Sequence, residues 1–225
     1  MRIRRKKWAR EELDNFKYYI DKPDVFKNTW KDKFVNKENP LYIELGCGKG
    51  TFISKLASQN KNINYIAVDM IEAMLGLTKR NIEQGYNAIN VPIDNLWLIR
   101  ANVELIQNVF GEDDKVDRIY INFCNPWPKE KHKKRRLTHT RQLESYKTFL
   151  KENGEIYFKT DNDELFDESL EYFKESGFNV EKMTYNLHEE PIFENNIETE
   201  HEKMFSEQGI KIKALIARKQ KTEGE

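Results

Sequence analysis

The chain has 225 residues, 38% of them hydrophobic, and its 38 basic side chains balance 38 acidic ones. Such a length and composition suit one globular domain with appendages and exclude a disordered chain. No run approaches the roughly 18 apolar residues that a membrane span needs, and the basic start is not followed by the apolar stretch of a secretory signal.

Residues 1–40 read as a basic extension carrying a helix that packs on the domain, and residues 41–220 as the domain itself. Residues 1–10 hold six basic side chains, Arg4 and Arg5 among them, and no acid. From Leu41 onward strands and helices alternate. Strands are expected at 41–45, 65–69, 96–101, 117–123, 155–160, 180–187 and 210–217. Helices are expected at 52–59, 71–84, 103–110, 141–151 and 164–176. Tyr42-Ile-Glu-Leu45 and Tyr65-Ile-Ala-Val68 are short apolar runs stopped by Gly or Asp, as buried parallel strands are. Gly154 is expected to separate a helix from the strand at 155, and Gly177 to end the helix at 164–176. This alternation argues for an α/β, mostly parallel, doubly wound sheet, whose ligands lie beyond the carboxyl ends of the strands.

The first strand runs into Glu44-Leu-Gly-Cys-Gly-Lys-Gly50. Glycines there allow a tight turn and close backbone approach to a ligand. The dinucleotide fingerprint needs glycine at position 51, where this chain has Thr51. Asp69 follows the second strand, 23 residues past Gly46, placed either to accept from ribose hydroxyls or to cap the next helix. Asn102 follows the third strand, where it either meets an adenine edge or caps a helix. The fourth strand leads into Asn122-Phe-Cys-Asn-Pro-Trp-Pro-Lys129. Its prolines stiffen the loop, and Trp127 serves either packing or base stacking. Within residues 129–136, Lys129, Lys131, Lys133, Lys134, Arg135 and Arg136 face Glu130 alone, so the remainder of the chain outside the two basic windows is acidic. Two such patches on an acidic body fit a polyanion-binding face, or else plain solvated runs. Cys47 and Cys124 make neither a disulfide framework nor a zinc pattern, and the four histidines form no spaced set, so free thiols, no metal and a cytoplasmic location are expected.

Taken together, these segments resemble the bacterial tRNA (guanine-N7)-methyltransferases. The resemblance starts in Arg2-Ile-Arg-Arg-Lys-Lys-Trp8 and Ile43–Phe52. It continues through Phe123-Cys-Asn-Pro-Trp-Pro-Lys129, Lys133–Thr138 and Phe158-Lys-Thr-Asp-Asn162, and ends in Thr199-Glu-His-Glu-Lys-Met-Phe205. It implies a Rossmann-like class I methyltransferase fold with a seven-stranded sheet, S-adenosylmethionine as cofactor and tRNA as partner, a homodimer being compatible with it. The acceptor it implies is N7 of a guanine in the variable loop. By position it implies that Glu44, Gly46, Gly48, Asp69, Asn102 and Asn125 meet the cofactor, with Asn125 also at the methyl acceptor. Lys129, Asp161, Thr199, Glu200, His201 and Glu202 would hold the guanosine. The basic side chains Arg4, Arg5, Lys131, Lys133, Lys134, Arg135 and Arg136 would follow the tRNA backbone.

The chain departs from the commoner family pattern at three of these positions: Asn stands for the usual Asp at 125 and often at 102, and Asp for the frequent Glu at 69. Loss of a carboxylate at 125 is tolerable, because guanine N7 offers a lone pair and carries no proton to remove. The runner-up readings are an exocyclic-amine methyltransferase, suggested by Asn125-Pro-Trp-Pro128, and a non-catalytic RNA-binding protein on the same fold.

Overall fold

The computed structural model describes residues 6–220, which form two compact units divided between residues 114 and 115. In the first unit the strands are β1 (Tyr19–Ile20), β2 (Leu41–Leu45), β3 (Asn64–Asp69) and β4 (Leu96–Arg100), and the helices α1 (Lys7–Asp14), α2 (Thr51–Gln59) and α3 (Glu72–Ala88). The strands lie in the order β1-β4-β3-β2 and every pairing is parallel. Residues 64–68 are buried without interruption, which explains why β3 reads as an unbroken apolar run rather than an alternating one. Register pairs Leu45 with Val68 and Val68 with Ile99. Gly46, Asp69 and Asn102 therefore all leave the sheet at one edge.

α1 turns Ala9 and Leu13 inward. It lies so close to α3 that a Cβ on Gly76 would sit 2.9 Å from the Ala9 Cβ. The segment between α1 and β2 is tied down by Asp114, whose carboxylate accepts from the backbone N–H groups of Gly111, Asn28 and Trp30 at 2.8, 2.9 and 3.1 Å. Burial raises the Asp114 pKa even so. The helix expected at 103–110 is instead a 3-10 turn over Val103–Asn108, with Leu105 at φ −122°. Six residues give too few hydrogen bonds to offset the cost of nucleating an α-helix.

The second unit contains β5 (Val116–Asn122), β6 (Leu150–Thr160), β7 (Phe178–Thr184) and β8 (Lys213–Lys219), with α4 (Thr140–Lys147), α5 (Asp163–Glu175) and α6 (Glu200–Glu207). Their order is β5-β6-β8-β7: β5 and β6 are parallel, and β8 runs antiparallel between β6 and β7. The Rossmann-like α/β architecture is thus present, but with eight strands among the described residues where seven were expected. The two-residue β1 is the addition, too short for any periodicity to announce it.

Several boundaries differ from expectation: β7 ends at Thr184 rather than 187, β8 begins at Lys213 rather than 210, and α3 runs on to Ala88 rather than 84. α4 stops at Lys147 rather than 151, and Gly154 lies within β6, not ahead of it. Pairing with β5 jumps from Val116–Leu150 to Arg118–Glu155, so residues 151–154 bulge, with Asn153 at φ +62°. Gly177 does end α5, at φ +69°. α6 was not expected: its acidic start belongs to a capping box, in which the Thr199 hydroxyl accepts from Glu202 N–H and the Glu202 carboxylate accepts from Thr199 N–H.

Candidate active site

The glycine turn after β2 is built on backbone hydrogen bonds. Gly46 and Cys47 N–H both donate to the Val68 carbonyl at 2.9 Å, and the Thr78 hydroxyl donates to the Gly48 carbonyl at 2.7 Å. Gly46, Gly48 and Gly50 have φ of +82°, +55° and +73°. A Cβ on Gly50 would lie 2.2 Å from Thr78 Cγ2, whereas at Gly46 and Gly48 it would meet nothing within 4 Å. Gly50 is therefore glycine for packing, while Gly46 and Gly48 leave backbone open to a ligand.

Asp69 closes the turn from the side. Its carboxylate accepts from Gly48 N–H at 3.0 Å and from Ile71 N–H at 2.8 Å, and burial raises its pKa against those hydrogen bonds. Glu44 is buried at the end of β2. Cys47 is buried in the same turn, where desolvation lifts its thiol pKa well above the ordinary range. Ala101 N–H donates to the Asp69 carbonyl, which brings Asn102 to the same edge. Asn102 is exposed and its side-chain oxygen caps Glu104 N–H at 3.0 Å. Two carboxylates beside an exposed glycine backbone fit a cationic, ribose-bearing ligand that must approach the main chain closely.

In the second unit, the loop after β5 is under backbone strain. Phe123 and Trp127 have φ of +51° and +42°, in the left-handed region that costs a non-glycine residue about 1–3 kcal/mol. Between them Asn125 is exposed, and its side-chain oxygen accepts from Trp127 N–H at 3.1 Å. The basic run folds into a 3-10 turn over Glu130–Arg135. That turn sorts its charges. Lys129, Lys131 and Lys134 are exposed and form no ion pair among the described residues. The exposed Arg135 guanidinium lies 4.2 Å from the Trp127 ring centroid, a cation–π pair. Lys133 instead pairs with Glu168 at 2.7 Å and Glu130 at 2.9 Å.

Arg136, expected along the tRNA backbone, points into the unit. Its side chain is only 1% exposed, and all three guanidinium nitrogens are engaged within the unit. Arg4 and Arg5 lie outside the described residues.

Glu202, expected to hold the guanosine, is enclosed as well. It is 0% exposed. One carboxylate oxygen accepts from Lys159 Nζ at 2.7 Å, and the other accepts from Asn196 Nδ2 at 2.6 Å and lies 3.2 Å from His188 Nε2. Both of its oxygens are thus engaged within the unit. Thr199, also buried, is occupied as the α6 cap. Glu200 and His201 are exposed. The His201 ring stacks on Phe123, with centroids 5.9 Å apart and planes 20° off parallel, and Phe205 lies beside both. Asp161 is half-buried, and its carboxylate carries no hydrogen bond or ion pair among the described residues. The cap of α5 is the next residue, Asn162, whose side chain accepts from Leu165 N–H at 2.7 Å.

Sequence reasoning did not find the buried Lys159–Glu202 pair, the Phe123–His201–Phe205 cluster or the carboxylates that bind Arg136. The available signal for the last was Glu164 and Glu168, one helical turn apart on α5.

The fold is shared with solved structures. The 16S rRNA methyltransferase KamB matches with a TM-score of 0.59 over 85% of this chain and 91% of that one, at 12% identity, a likeness of fold alone. A family model described as "Putative methyltransferase" matches residues 38–215. Relatives named tRNA (guanine-N(7)-)-methyltransferase are 60% identical in Clostridium beijerinckii, over 97% of this chain and 99% of that protein, and 59% identical in Clostridium botulinum, over 98% and 100%. The chain belongs to the tRNA (guanine-N(7)-)-methyltransferase family.

Proposed function

We propose that this protein methylates N7 of a guanine in the variable loop of tRNA, using S-adenosylmethionine, in the cytoplasm. The carrying observation is 59–60% identity, across nearly the whole of both chains, to relatives of that name. When bound, the cofactor supplies an electrophilic methyl on a sulfonium. Gly46 and Gly48 offer it uncovered backbone, the Glu44 carboxylate balances its positive charge, and Asp69, anchored by Gly48 and Ile71 N–H, has lone pairs left for ribose hydroxyls. Asn102 retains its amide nitrogen for an adenine edge.

The acceptor nitrogen needs no general base, so the chain's task is alignment, worth about 7–11 kcal/mol of barrier when complete. Asn125 orients the acceptor with its amide, and its neutrality is no obstacle. The Asp161 carboxylate matches the paired donors of guanine, N1–H and the exocyclic amine, which adenine lacks. Lys129 and the exposed Glu200 and His201 complete the guanosine contacts, and Lys131, Lys134 and Arg135 bind phosphates. Thr199 and Glu202 support this surface from beneath. Purified protein, methyl-labelled cofactor and unmodified tRNA, followed by nucleoside digestion, test the reading. Label in N7-methylguanosine supports it, and label in a methylated adenine overturns the acceptor.

A further inference from the structure

Arg136 ties the loop after β5 to α5. Its Nε donates to the Pro126 carbonyl at 2.6 Å, its Nη1 to Glu168 at 2.6 Å and its Nη2 to Glu164 at 3.1 Å. Pro126 is the residue after Asn125, in the strained loop between Phe123 and Trp127. Glu164 and Glu168 belong to α5, a regular helix. Glu168 is itself fixed by Lys133 at 2.7 Å and by the Tyr172 hydroxyl at 2.8 Å. Close to Arg136 in the chain, Thr138 shares a 2.6 Å hydrogen bond with Ser169 of α5. A loop with two left-handed non-glycine residues stays in that shape only when its surroundings impose it. The Arg136 guanidinium is such a surrounding, gripping a loop carbonyl at one end and helix carboxylates at the other.

We infer that Arg136 is a positioning residue: its buried side chain forms with the half-buried Glu168 a strut that carries the rigidity of α5 to the Asn125 loop, and it takes no part in binding RNA phosphate. The inference rests on the proposed tRNA methylation, in which Asn125 must be held in one orientation. The basic run accordingly has two duties. Lys129, Lys131, Lys134 and Arg135 face outward to the polyanion, while Lys133 and Arg136 face inward to α5.

Arg136→Lys, Glu168→Gln and Tyr172→Phe test this in graded steps, the last removing only the hydroxyl that steadies Glu168. Folding is checked by circular dichroism, and then tRNA Kd, its salt dependence, and kcat are measured. A strut that slips lowers kcat on the order of 10- to 100-fold for Arg136→Lys, since misplacement of about 1 Å is that costly. Glu168→Gln and Tyr172→Phe act in the same direction and less. Kd and the slope of log K against log salt stay at wild-type values. In combination with Asn125→Ala, Arg136→Lys adds much less than its separate effect, because both act through one loop. A salt slope lowered by about one would make Arg136 a phosphate contact and overturn the inference. So would an unchanged kcat, or full additivity with Asn125→Ala. A wild-type protein that binds tRNA and never methylates it would instead overturn the proposed function, and the inference with it.

Discussion

At the scale of single residues, Glu202 and Arg136 sit in segments whose resemblance and charge point to substrate, yet each is buried against opposite charge. Lys159 and Glu202 are 3% and 0% exposed. Removing one member of such a pair leaves the other charge uncompensated, at a cost of about 3–5 kcal/mol. Glu202→Ala is therefore expected to lower stability by that amount in denaturant unfolding, with the capping box lost as well. A variant as stable as wild type but unable to bind guanine would return Glu202 to recognition. Asn125 is the reverse case, exposed and held by a hydrogen bond from Trp127 N–H. Asn125→Asp retains that acceptor and is expected to remain active, whereas Asn125→Ala is expected to lose about tenfold or more in kcat. An alanine variant as active as wild type would remove Asn125 from the orienting role. The candidacy of Asn125 was legible in the sequence, but the enclosure of Glu202 and Arg136 was not, because burial of a polar side chain depends on what lies opposite it, and Glu168 is 32 residues from Arg136.

At the scale of elements, the glycine turn and the α5 strut make separate predictions. Gly50→Ala puts a methyl 2.2 Å from Thr78 Cγ2 at φ +73°, and such overpacking costs about 1–3 kcal/mol before backbone strain. Thr78→Ser keeps the hydroxyl bonded to Gly48 and deletes the obstructing methyl, so the double variant is expected to recover part of the loss in thermal unfolding. No recovery would place the fault in backbone conformation alone. Glu168 links the strut to pH. Its partial burial pushes its pKa up, but the hydrogen bonds from Lys133 and Tyr172 and the charge of Arg136 outweigh this and bring it down to about 2. A carboxylate whose folded value is depressed stabilises above its ordinary value, near 4.5, and that stabilisation drains away as pH falls toward about 2. Glu168→Gln is expected to be less stable than wild type at pH 7 and to show a flatter loss across this acid window. Parallel acid curves for the two proteins would contradict the assignment. Strands with buried faces, such as β2 and β3, were legible almost to the residue, because a short unbroken apolar run ending in Gly or Asp is what a strand covered on both faces requires. The 3-10 turn at 103–108, the bulge before Glu155 and the capped start of α6 were not, because each depends on local hydrogen bonds that periodicity does not encode.

At the scale of the whole molecule, a net charge of zero conceals exposed cations that form no ion pair among the described residues. Lys129, Lys131 and Lys134 are expected to make tRNA affinity fall with salt, each neutral substitution flattening the log–log slope by about 0.7–0.9. The doubly wound, mostly parallel sheet was readable from alternation, and the eighth strand and the reversed β7–β8 order were not, since strand order is fixed by tertiary pairing. The central claim is the acceptor atom. The most direct test supplies wild-type protein with methyl-labelled S-adenosylmethionine and bulk unmodified tRNA, and separates the digested nucleosides. Label is expected in N7-methylguanosine alone; label in any other nucleoside, or none despite cofactor binding and tRNA binding, would contradict the claim.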